Sequence, residues 1–246
     1  MEQDIQYETL AEDALLLRFG DRIELALNAQ VQAATAHLHN HLPELECVPA
    51  YASLLLRFDP SIWAGADGQH PHQQLQAAVS TCLRDTDQAN AVPREMVIPV
   101  CYGGEYGPDL DDVAASCGLD ADAVIARHTT GDYRVAMLGF APGFAYLLGL
   151  DPKLSVPRRT DPRQRVPAGS VAIGGSQTGI YPEILPGGWQ LIGRTPLHLF
   201  DVDANNPSLL AAAGWVHARA QCCTPYLEIR HNAECVRQSS NDEKIH

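Results

Sequence analysis

A Pro-Gly pair between aromatic residues is a candidate ligand-binding feature of this sequence. Pro142 and Gly143 stand between Phe140 on one side and Phe144 and Tyr146 on the other. Proline fixes φ at the second position of a type II turn, and glycine accepts the positive φ of the third, so we expect a rigid turn here. The rings would then form a wall for a flat or cyclic ligand. The alternative is an aromatic lid on the core.

Four arginines follow within one proline-bounded stretch, residues 157–167. They are Arg158, Arg159, Arg163 and Arg165. A guanidinium group is a planar fork that binds carboxylate or phosphate, and the prolines stiffen the loop that carries it. The pattern favours an anion-binding site. The alternative is a set of solvated charges that balance the surplus of Asp and Glu.

A glycine-rich loop after a short apolar run, at residues 168–182, supplies neutral donors and acceptors. Glycines let backbone N–H groups approach a ligand closely, and hydroxyl and amide side chains add further hydrogen bonds. The loop is not a dinucleotide-binding fingerprint, because Gly-x-Gly-x-x-Gly is absent and no helix follows. Candidate side chains in this loop and in the segment 186–195 are Ser170, Gln177, Thr178, Tyr181, Trp189 and Arg194.

Histidine and cysteine patterns indicate one acid/base candidate and no metal site. His128 is that candidate, although a lone histidine is more often structural. His37, His39 and His41 alternate at two-residue steps, so we expect that they do not share one helical face. The seven cysteines show neither the two-residue gap of a zinc ribbon nor a disulfide pattern.

Composition and charge exclude several classes of protein. The 246 residues carry 17 Lys and Arg against 30 Asp and Glu, and the net charge of −13 argues against nucleic-acid binding. Only two of the cations are lysines, Lys153 and Lys244, which excludes a Gly-Lys-Ser/Thr phosphate loop. No run reaches the roughly 18 apolar residues that span a bilayer, and the N-terminus lacks an apolar signal core. We therefore expect a cytoplasmic protein that binds neither nucleic acid nor membrane.

Zones of the sequence differ in their content of glycine and proline, and each zone predicts a different secondary structure. Residues 1–100 have few glycines, and their apolar spacing predicts a βαβαβ order and a small α/β sandwich. The expected strands are 14–19, 51–58 and 96–100, and the expected helices are 23–42 and 72–83. A helical connector is expected at 101–130, with Asp109 and Asp120 as N-caps.

Beyond the connector, glycine and proline recur every few residues between 139 and 193, which no helix tolerates. Many short strands joined by turns predict a β-barrel or sandwich over residues 131–230. Either 214–218 or 226–230 is expected to pair with the barrel as a strand, and residues 231–246 are expected to be disordered.

The motifs at 139–146, 157–159, 165–174, 177–182, 186–189 and 193–196 together resemble the family of 5-oxoprolinase B subunits. That family is also called allophanate hydrolase subunit 1 and includes the kinase inhibitor KipI. The likeness is dense from residue 128 to 201 and looser around 98–110. After Asp201 the chain departs from the family's closing Pro-Gly-Asp turn and strand, and its ending is rich in cysteine and histidine.

The resemblance implies an α+β chain, with a small N-terminal α/β sandwich followed by a cyclophilin-like β-barrel. It also implies a cytoplasmic complex with 5-oxoprolinase subunits C and A, which uses ATP to open 5-oxo-L-proline, a small cyclic amide, to L-glutamate. ATP would bind through the complex, and no tightly bound metal is expected in this chain. Two alternatives stay open: an inhibitor of a sensor histidine kinase, and a carboxyltransferase-type subunit of a urea-amidolyase-like enzyme.

Within such an enzyme, the catalytic candidates are His128, Gln177 and Thr178. Gln177 and Thr178 would orient the substrate amide, and His128 would carry a proton. The residues expected to bind substrate or anion are Phe140, Pro142, Phe144, Tyr146, Arg158, Arg159, Arg163, Ser170, Tyr181, Trp189 and Arg194.

Overall fold

A computed structural model of the chain describes residues 5–64, 70–84 and 95–220. The chain divides into two compact units, Met1–Val92 and Pro93–His246, and each has its own core. Among the described residues, no helix combines the length and the hydropathy needed to cross a bilayer.

The first unit is a four-stranded antiparallel sheet with two helices. Its strands are β1 (Gln6–Ala11), β2 (Ala14–Arg18), β3 (Glu46–Pro49) and β4 (Ser53–Arg57), in the order β1-β2-β4-β3, and its helices are α1 (Leu25–His41) and α2 (Pro71–Arg84). Alternate leucines of the two central strands, such as Leu15 and Leu54, pack against Leu38 of α1 and Leu75 of α2. Both helices lie where apolar spacing and Pro43 predicted them.

The predicted strand order of this unit was wrong in two respects. The segment 96–100 is not a third N-terminal strand, because β5 (Glu95–Tyr102) pairs with strands of the second unit. The expected boundary at residue 100 therefore falls inside a barrel strand. Strands β1 and β3 were not predicted. Five of the six residues of β1 are exposed, so this edge strand lacks the alternation that reveals a half-buried strand.

The second unit is a closed barrel of seven strands. In barrel order they are β10 (Gln177–Ile180), β7 (Ala145–Leu148), β6 (Tyr133–Leu138), β13 (Trp215–Ala220), β5, β12 (Gln190–Arg194) and β9 (Ser170–Gly174). Strands β8 (Arg163–Val166) and β11 (Leu185–Gly187) form a separate two-stranded sheet. Inward-facing aliphatic residues fill the barrel, among them Ile98, Val135, Val171, Ile173, Ile192 and Val216. The α+β fold class is thereby confirmed.

Strand β13 closes the barrel. It pairs in parallel with β5 from Trp215 opposite Glu95 to Ala220 opposite Val100, and antiparallel with β6. Closure removes the unpaired edges that an open sheet would present. Of the two segments predicted as alternatives to pair with the barrel, 214–218 does so as part of β13, while 226–230 and 231–246 lie outside the described residues.

Two short helices lie between β5 and β6 in the chain: α3 (Leu110–Cys117) and α4 (Ala121–Thr129). Asp120 caps α4 as predicted, since its carboxylate accepts a hydrogen bond from the Ala123 N–H at 2.7 Å. Asp109 precedes α3 but makes no capping bond, because its carboxylate is engaged elsewhere.

One cysteine departs from the sequence expectation. Cys101 is disulfide-bonded, whereas Cys47 and Cys117 are thiols. Disulfide pairing depends on the distance between residues in the fold, so the linear spacing of cysteines did not reveal it.

Candidate functional site

An aromatic layer made of Phe144, Tyr146, Tyr181 and Trp189 covers one face of β9 and β10. The ring centroid of Phe144 lies 4.8 Å from that of Tyr146, 5.1 Å from that of Tyr181 and 6.0 Å from that of Trp189. The tilted and edge-on angles are those that aromatic quadrupoles favour. The layer lies outside the barrel, since Ala172 packs with it while its strand neighbours Val171 and Ile173 point into the barrel core.

Two glycines of the 168–182 loop make room for this layer. A Cβ atom on Gly174 would lie 2.6 Å from the ring of Trp189, and one on Gly179 would lie 3.1 Å from it. The sequence had suggested that these glycines bring backbone N–H groups to a ligand. At these two positions the small residue instead lets the indole ring of Trp189 lie against the strands.

The predicted turn carries the exposed end of the layer. The Phe144 N–H donates to the Ala141 carbonyl at 3.0 Å, and Gly143 has a φ of 77°, as a type II turn with Pro142 at its second position requires. Phe140, just before the turn, is 62% exposed and has a φ of 70°, which is uncommon for a bulky residue. Its ring meets Phe144 edge-on at 5.5 Å.

Arg158 adds a positive charge to the aromatic layer. Its exposed guanidinium group lies over the Trp189 ring, 5.6 Å from the centroid, in a cation–π arrangement. Burial raises the pKa of Tyr146 and of Tyr181, and the nearby Arg158 cation offsets part of both rises. Phe144, Tyr181 and Trp189 are at most 5% exposed, so the layer is a packed aromatic lid, the alternative that the sequence left open. Its exposed members are the Phe140 ring and the Arg158 cation, with the Tyr146 phenol partly exposed beside them.

Gln177 shares the face of the aromatic layer. It pairs with Gly174, and two residues further along β10 Gly179 pairs with Tyr146. Side chains two residues apart in a strand lie on the same face, so the Gln177 amide lies on the Tyr146 side of the sheet. The structure thus brings together six predicted residues and this amide. The six are Phe140, Phe144, Tyr146, Arg158, Tyr181 and Trp189.

Arg159 and Arg163 already hold an anion, the carboxylate of Asp109. Arg163 donates to both carboxylate oxygens, at 2.7 and 2.9 Å, and Arg159 donates to Oδ1 at 3.3 Å. The Leu191 N–H donates to Oδ2 at 2.7 Å, and the Asp109 side chain is 3% exposed. The expectation that these two arginines bind a substrate anion is corrected, because a buried carboxylate of the chain occupies them. Arg158 and Arg165 are exposed.

His128 and Thr178, two catalytic candidates, meet inside the barrel. Thr178 donates to the Ala172 carbonyl at 2.9 Å, so its oxygen accepts from the His128 Nε2–H at 3.2 Å. His128 Nδ1 then accepts from the Tyr102 hydroxyl at 2.7 Å. Burial lowers the pKa of His128 to about 4, so the ring is neutral near pH 7.

The three catalytic candidates therefore lie on opposite sides of β10: His128 and Thr178 on the inner side, and Gln177 on the outer side. Adjacent residues of a strand point to opposite faces, so Thr178 faces the interior while Gln177 faces the aromatic layer. His128 is 2% exposed, and both of its ring nitrogens are engaged. The structure corrects its assignment as a proton carrier, since it forms part of a buried polar network.

Ser170 and Arg194 form a second polar pair on neighbouring strands. They are opposite each other in the register of β9 and β12, so their side chains lie on one face. Ser170 Oγ and Arg194 Nε are buried and have no hydrogen-bond partner within the described part of the chain. The Arg194 guanidinium lies 5.3 Å from the ring centroid of Tyr106, which no sequence signal had pointed out. Ser170 is fully buried whereas the Arg194 side chain is partly exposed, so Arg194 is the candidate anion contact of this pair.

The one group of three possible metal ligands found in the described ranges lies in the first unit. It consists of His37, His41 and Cys82. The expectation that these histidines do not share a helical face was wrong for His37 and His41. They are four residues apart on α1, and their rings stack with centroids 4.1 Å apart.

The barrel with an antiparallel first unit is the fold of a carboxyltransferase-type domain. Residues 5–210 match the family described as carboxyltransferase domain, subdomain C and D, and the chain belongs to this family. The match ends before β13, in agreement with the divergent ending of the sequence.

Two relatives cover most of the chain, and both are B subunits of a 5-oxoprolinase. The chain is 44% identical over 218 residues to the one from Bacillus subtilis, which covers 84% of this chain and 89% of that protein. It is 38% identical over 204 residues to the one from Escherichia coli O157:H7, with 82% and 89% covered.

A solved structure shares the fold. That of K. lactis urea amidolyase superposes with a TM-score of 0.74 over 93% of this chain and 15% of that one. At 19% identity, this likeness shows a shared fold alone.

Proposed function

We propose that this chain is the B subunit of an ATP-dependent 5-oxoprolinase and opens 5-oxo-L-proline to L-glutamate together with subunits C and A. The observation that carries the proposal is the 44% identity to a protein of that name across 89% of its length. The exposed Phe140 ring and the exposed Arg158 cation support it, because the substrate is a flat five-membered ring that carries a carboxylate.

The chemistry explains why ATP is needed. A lactam is a stable amide, so opening its ring with water alone has little driving force. Phosphorylation of the lactam oxygen by ATP makes the ring carbon electrophilic. Water then attacks this carbon and the ring C–N bond breaks, so the nitrogen takes up a proton to become the amine and the carbon keeps the phosphoryl group as an acyl phosphate. A second water hydrolyses this acyl phosphate and releases glutamate and inorganic phosphate.

In this proposal the outer face of the barrel binds the ring. The exposed Phe140 ring contacts one flat side of it, and Arg158 pairs with the substrate carboxylate or with the transferred phosphoryl group. The Gln177 amide can donate to the lactam oxygen and accept from the lactam N–H. The Asp109–Arg163 pair keeps the arginine loop, the stretch 157–167 that carries four arginines, in place and does not contact the substrate.

ATP reaches the reaction through the complex. The chain carries no Gly-Lys-Ser/Thr loop, so the nucleotide would meet arginine side chains and backbone N–H groups where subunits join. Arg194, with Ser170 opposite it on β9, is the candidate in this chain for a phosphate contact. Both present on one face a buried polar atom that has no partner in the described ranges.

Reconstitution tests the proposal. The chain is co-expressed with subunits C and A, and glutamate release from 5-oxo-L-proline is measured with and without ATP. We expect release only when all three chains and ATP are present. Release no greater than that of subunits C and A alone would contradict the proposal.

A further inference from the structure

A second site, unrelated to the aromatic layer, lies in the first unit between α1 and α2. One ring nitrogen each of His37 and His41 and the sulfur of Cys82 lie within 4.8 Å of one another. The two histidines lie on one face of α1, and Cys82 comes from the facing helix α2. The Cys82 side chain is a thiol. Two elements of the fold thus bring one sulfur and two nitrogen ligands together.

The hydrogen bonds of both rings leave a nitrogen lone pair on each. His41 Nδ1 lies 2.8 Å from the His37 carbonyl, and His37 Nε2 lies 3.1 Å from the Cys82 carbonyl. A carbonyl oxygen only accepts, so each of these nitrogens carries the hydrogen and donates it. In a neutral imidazole the other nitrogen is then unprotonated. The nitrogens left to bind an ion are therefore His37 Nδ1 and His41 Nε2, and a backbone carbonyl that fixes the tautomer in this way is the usual support of a metal-binding histidine.

We propose that His37, His41 and Cys82 bind a divalent transition-metal ion of the Zn²⁺ type. Imidazole nitrogen and thiolate sulfur are the ligands that Zn²⁺ prefers, and three protein ligands leave a fourth, tetrahedral position for water. His41 is exposed and the other two residues are partly so, which gives the ion a path from solvent. Binding displaces the thiol proton of Cys82 into solvent and leaves the redox state of the ion unchanged.

The site would join the C-terminal ends of the two helices that cover the first sheet. His41 is the last residue of α1, and Cys82 is two residues from the end of α2. A ligand that binds only the folded state stabilises it by mass action, so the bound ion should raise the unfolding temperature of this unit. The proposal does not depend on the proposed enzyme function.

Cobalt titration of the full, metal-free chain under argon tests the proposal. Co²⁺ replaces Zn²⁺ in such sites, and a bound thiolate gives a charge-transfer band in the near ultraviolet. We expect this band to saturate at one equivalent and to disappear when Zn²⁺ is added. Cys82→Ser should abolish the band. His41→Ala should weaken Co²⁺ binding at least about tenfold, since mutation of even a residue that supports a metal ligand lowers metal affinity by that factor.

His39→Ala is the matched control, because His39 is exposed on the same helix and is not in the cluster. It should leave the titration unchanged. His41 is also exposed, so His41→Ala keeps the test valid if Cys82→Ser lowers the stability of the fold. A band that persists in Cys82→Ser, equal Co²⁺ affinities of His41→Ala and His39→Ala, or no saturable band would each overturn the proposal.

Discussion

Arg163 places two guanidinium nitrogens on the two carboxylate oxygens of Asp109, although 54 residues of chain separate the two. The same carboxylate accepts the backbone N–H of Leu191 and a nitrogen of Arg159. One buried charge therefore ties the start of α3 to β8, to β12 and to the arginine loop. This loop also carries Arg158, whose position over Trp189 depends on where the loop lies.

Replacing Asp109 should destabilise the second unit. Asp109→Asn leaves two guanidinium groups without their counter-charge, and removing one partner of a buried pair costs about 3–5 kcal/mol. The Arg163 side chain is 25% exposed, so water can solvate part of its charge, and we expect the lower end of that range. Urea unfolding followed by tryptophan fluorescence measures the loss. Asp111→Asn, an exposed carboxylate in the first turn of α3, is the control, and equal losses in both variants would contradict the account.

His128 should make the stability of the second unit depend on pH. Its pKa falls from an ordinary 6.5 to about 4 on folding because of burial, so between these values the unfolded chain binds more protons. The contribution of His128 to the free energy of unfolding should therefore be fully present well above pH 6.5 and fall by up to about 3 kcal/mol as the pH drops from there to 4.

The same unfolding measurement on His128→Gln checks this pH dependence. The variant cannot protonate at this position, so its free energy of unfolding should fall less steeply over the same interval, even if it is less stable throughout. His39→Ala removes an exposed histidine and should keep the steep dependence of the parent. Parallel curves for the parent and His128→Gln would show that His128 is not the buried neutral group described here.

Local signals predicted much of the fold and part of the site. Helical spacing located α1 and α2, and the Pro142-Gly143 pair located the turn that presents Phe140. The partner of Arg163 had no local signal, because Asp109 lies 54 residues away and resembles an N-cap. Long-range pairs of this kind follow from strand order, which one sequence does not reveal.

Two further relationships follow from the periodicity of the sequence, although they were not predicted. Gln177 and Thr178 are adjacent in a strand, so their side chains had to face opposite sides of the sheet. His37 and His41 are four residues apart in a predicted helix, which places them on one face. The geometry of a single strand or helix is enough to predict both placements, whereas the pairing of Asp109 with Arg163 depends on the complete fold.

Arg158 should matter for activity and not for stability. In the reconstituted complex, Arg158→Ala should lower kcat/KM for 5-oxo-L-proline at least about tenfold, since hydrogen bonds to charged groups contribute about 1.5–3 kcal/mol. Its side chain is exposed, so the unfolding temperature should stay the same. Arg165→Ala, an exposed arginine of the same loop, is the matched control. Similar kcat/KM values in both variants would remove Arg158 from the site.

Strand β13 should be necessary for a stable barrel. A chain that ends at Asp203 lacks β13 and exposes the paired edges of β5 and β6, so its free energy of unfolding should drop by several kcal/mol. A chain that ends at Arg230 keeps β13 and should unfold almost like the full chain. Thermal and urea unfolding of the two truncated chains compare them directly. Equal stability would mean that the barrel does not need this strand.

The ratio of ADP to glutamate formed tests directly whether this chain works in an ATP-dependent 5-oxoprolinase. ADP and glutamate are measured in one reaction that contains this chain, subunits C and A, ATP and 5-oxo-L-proline. The account predicts that one ADP appears for each glutamate, and that omitting this chain abolishes glutamate formation. Glutamate formation that continues without this chain, or that proceeds without ATP consumption, would contradict it.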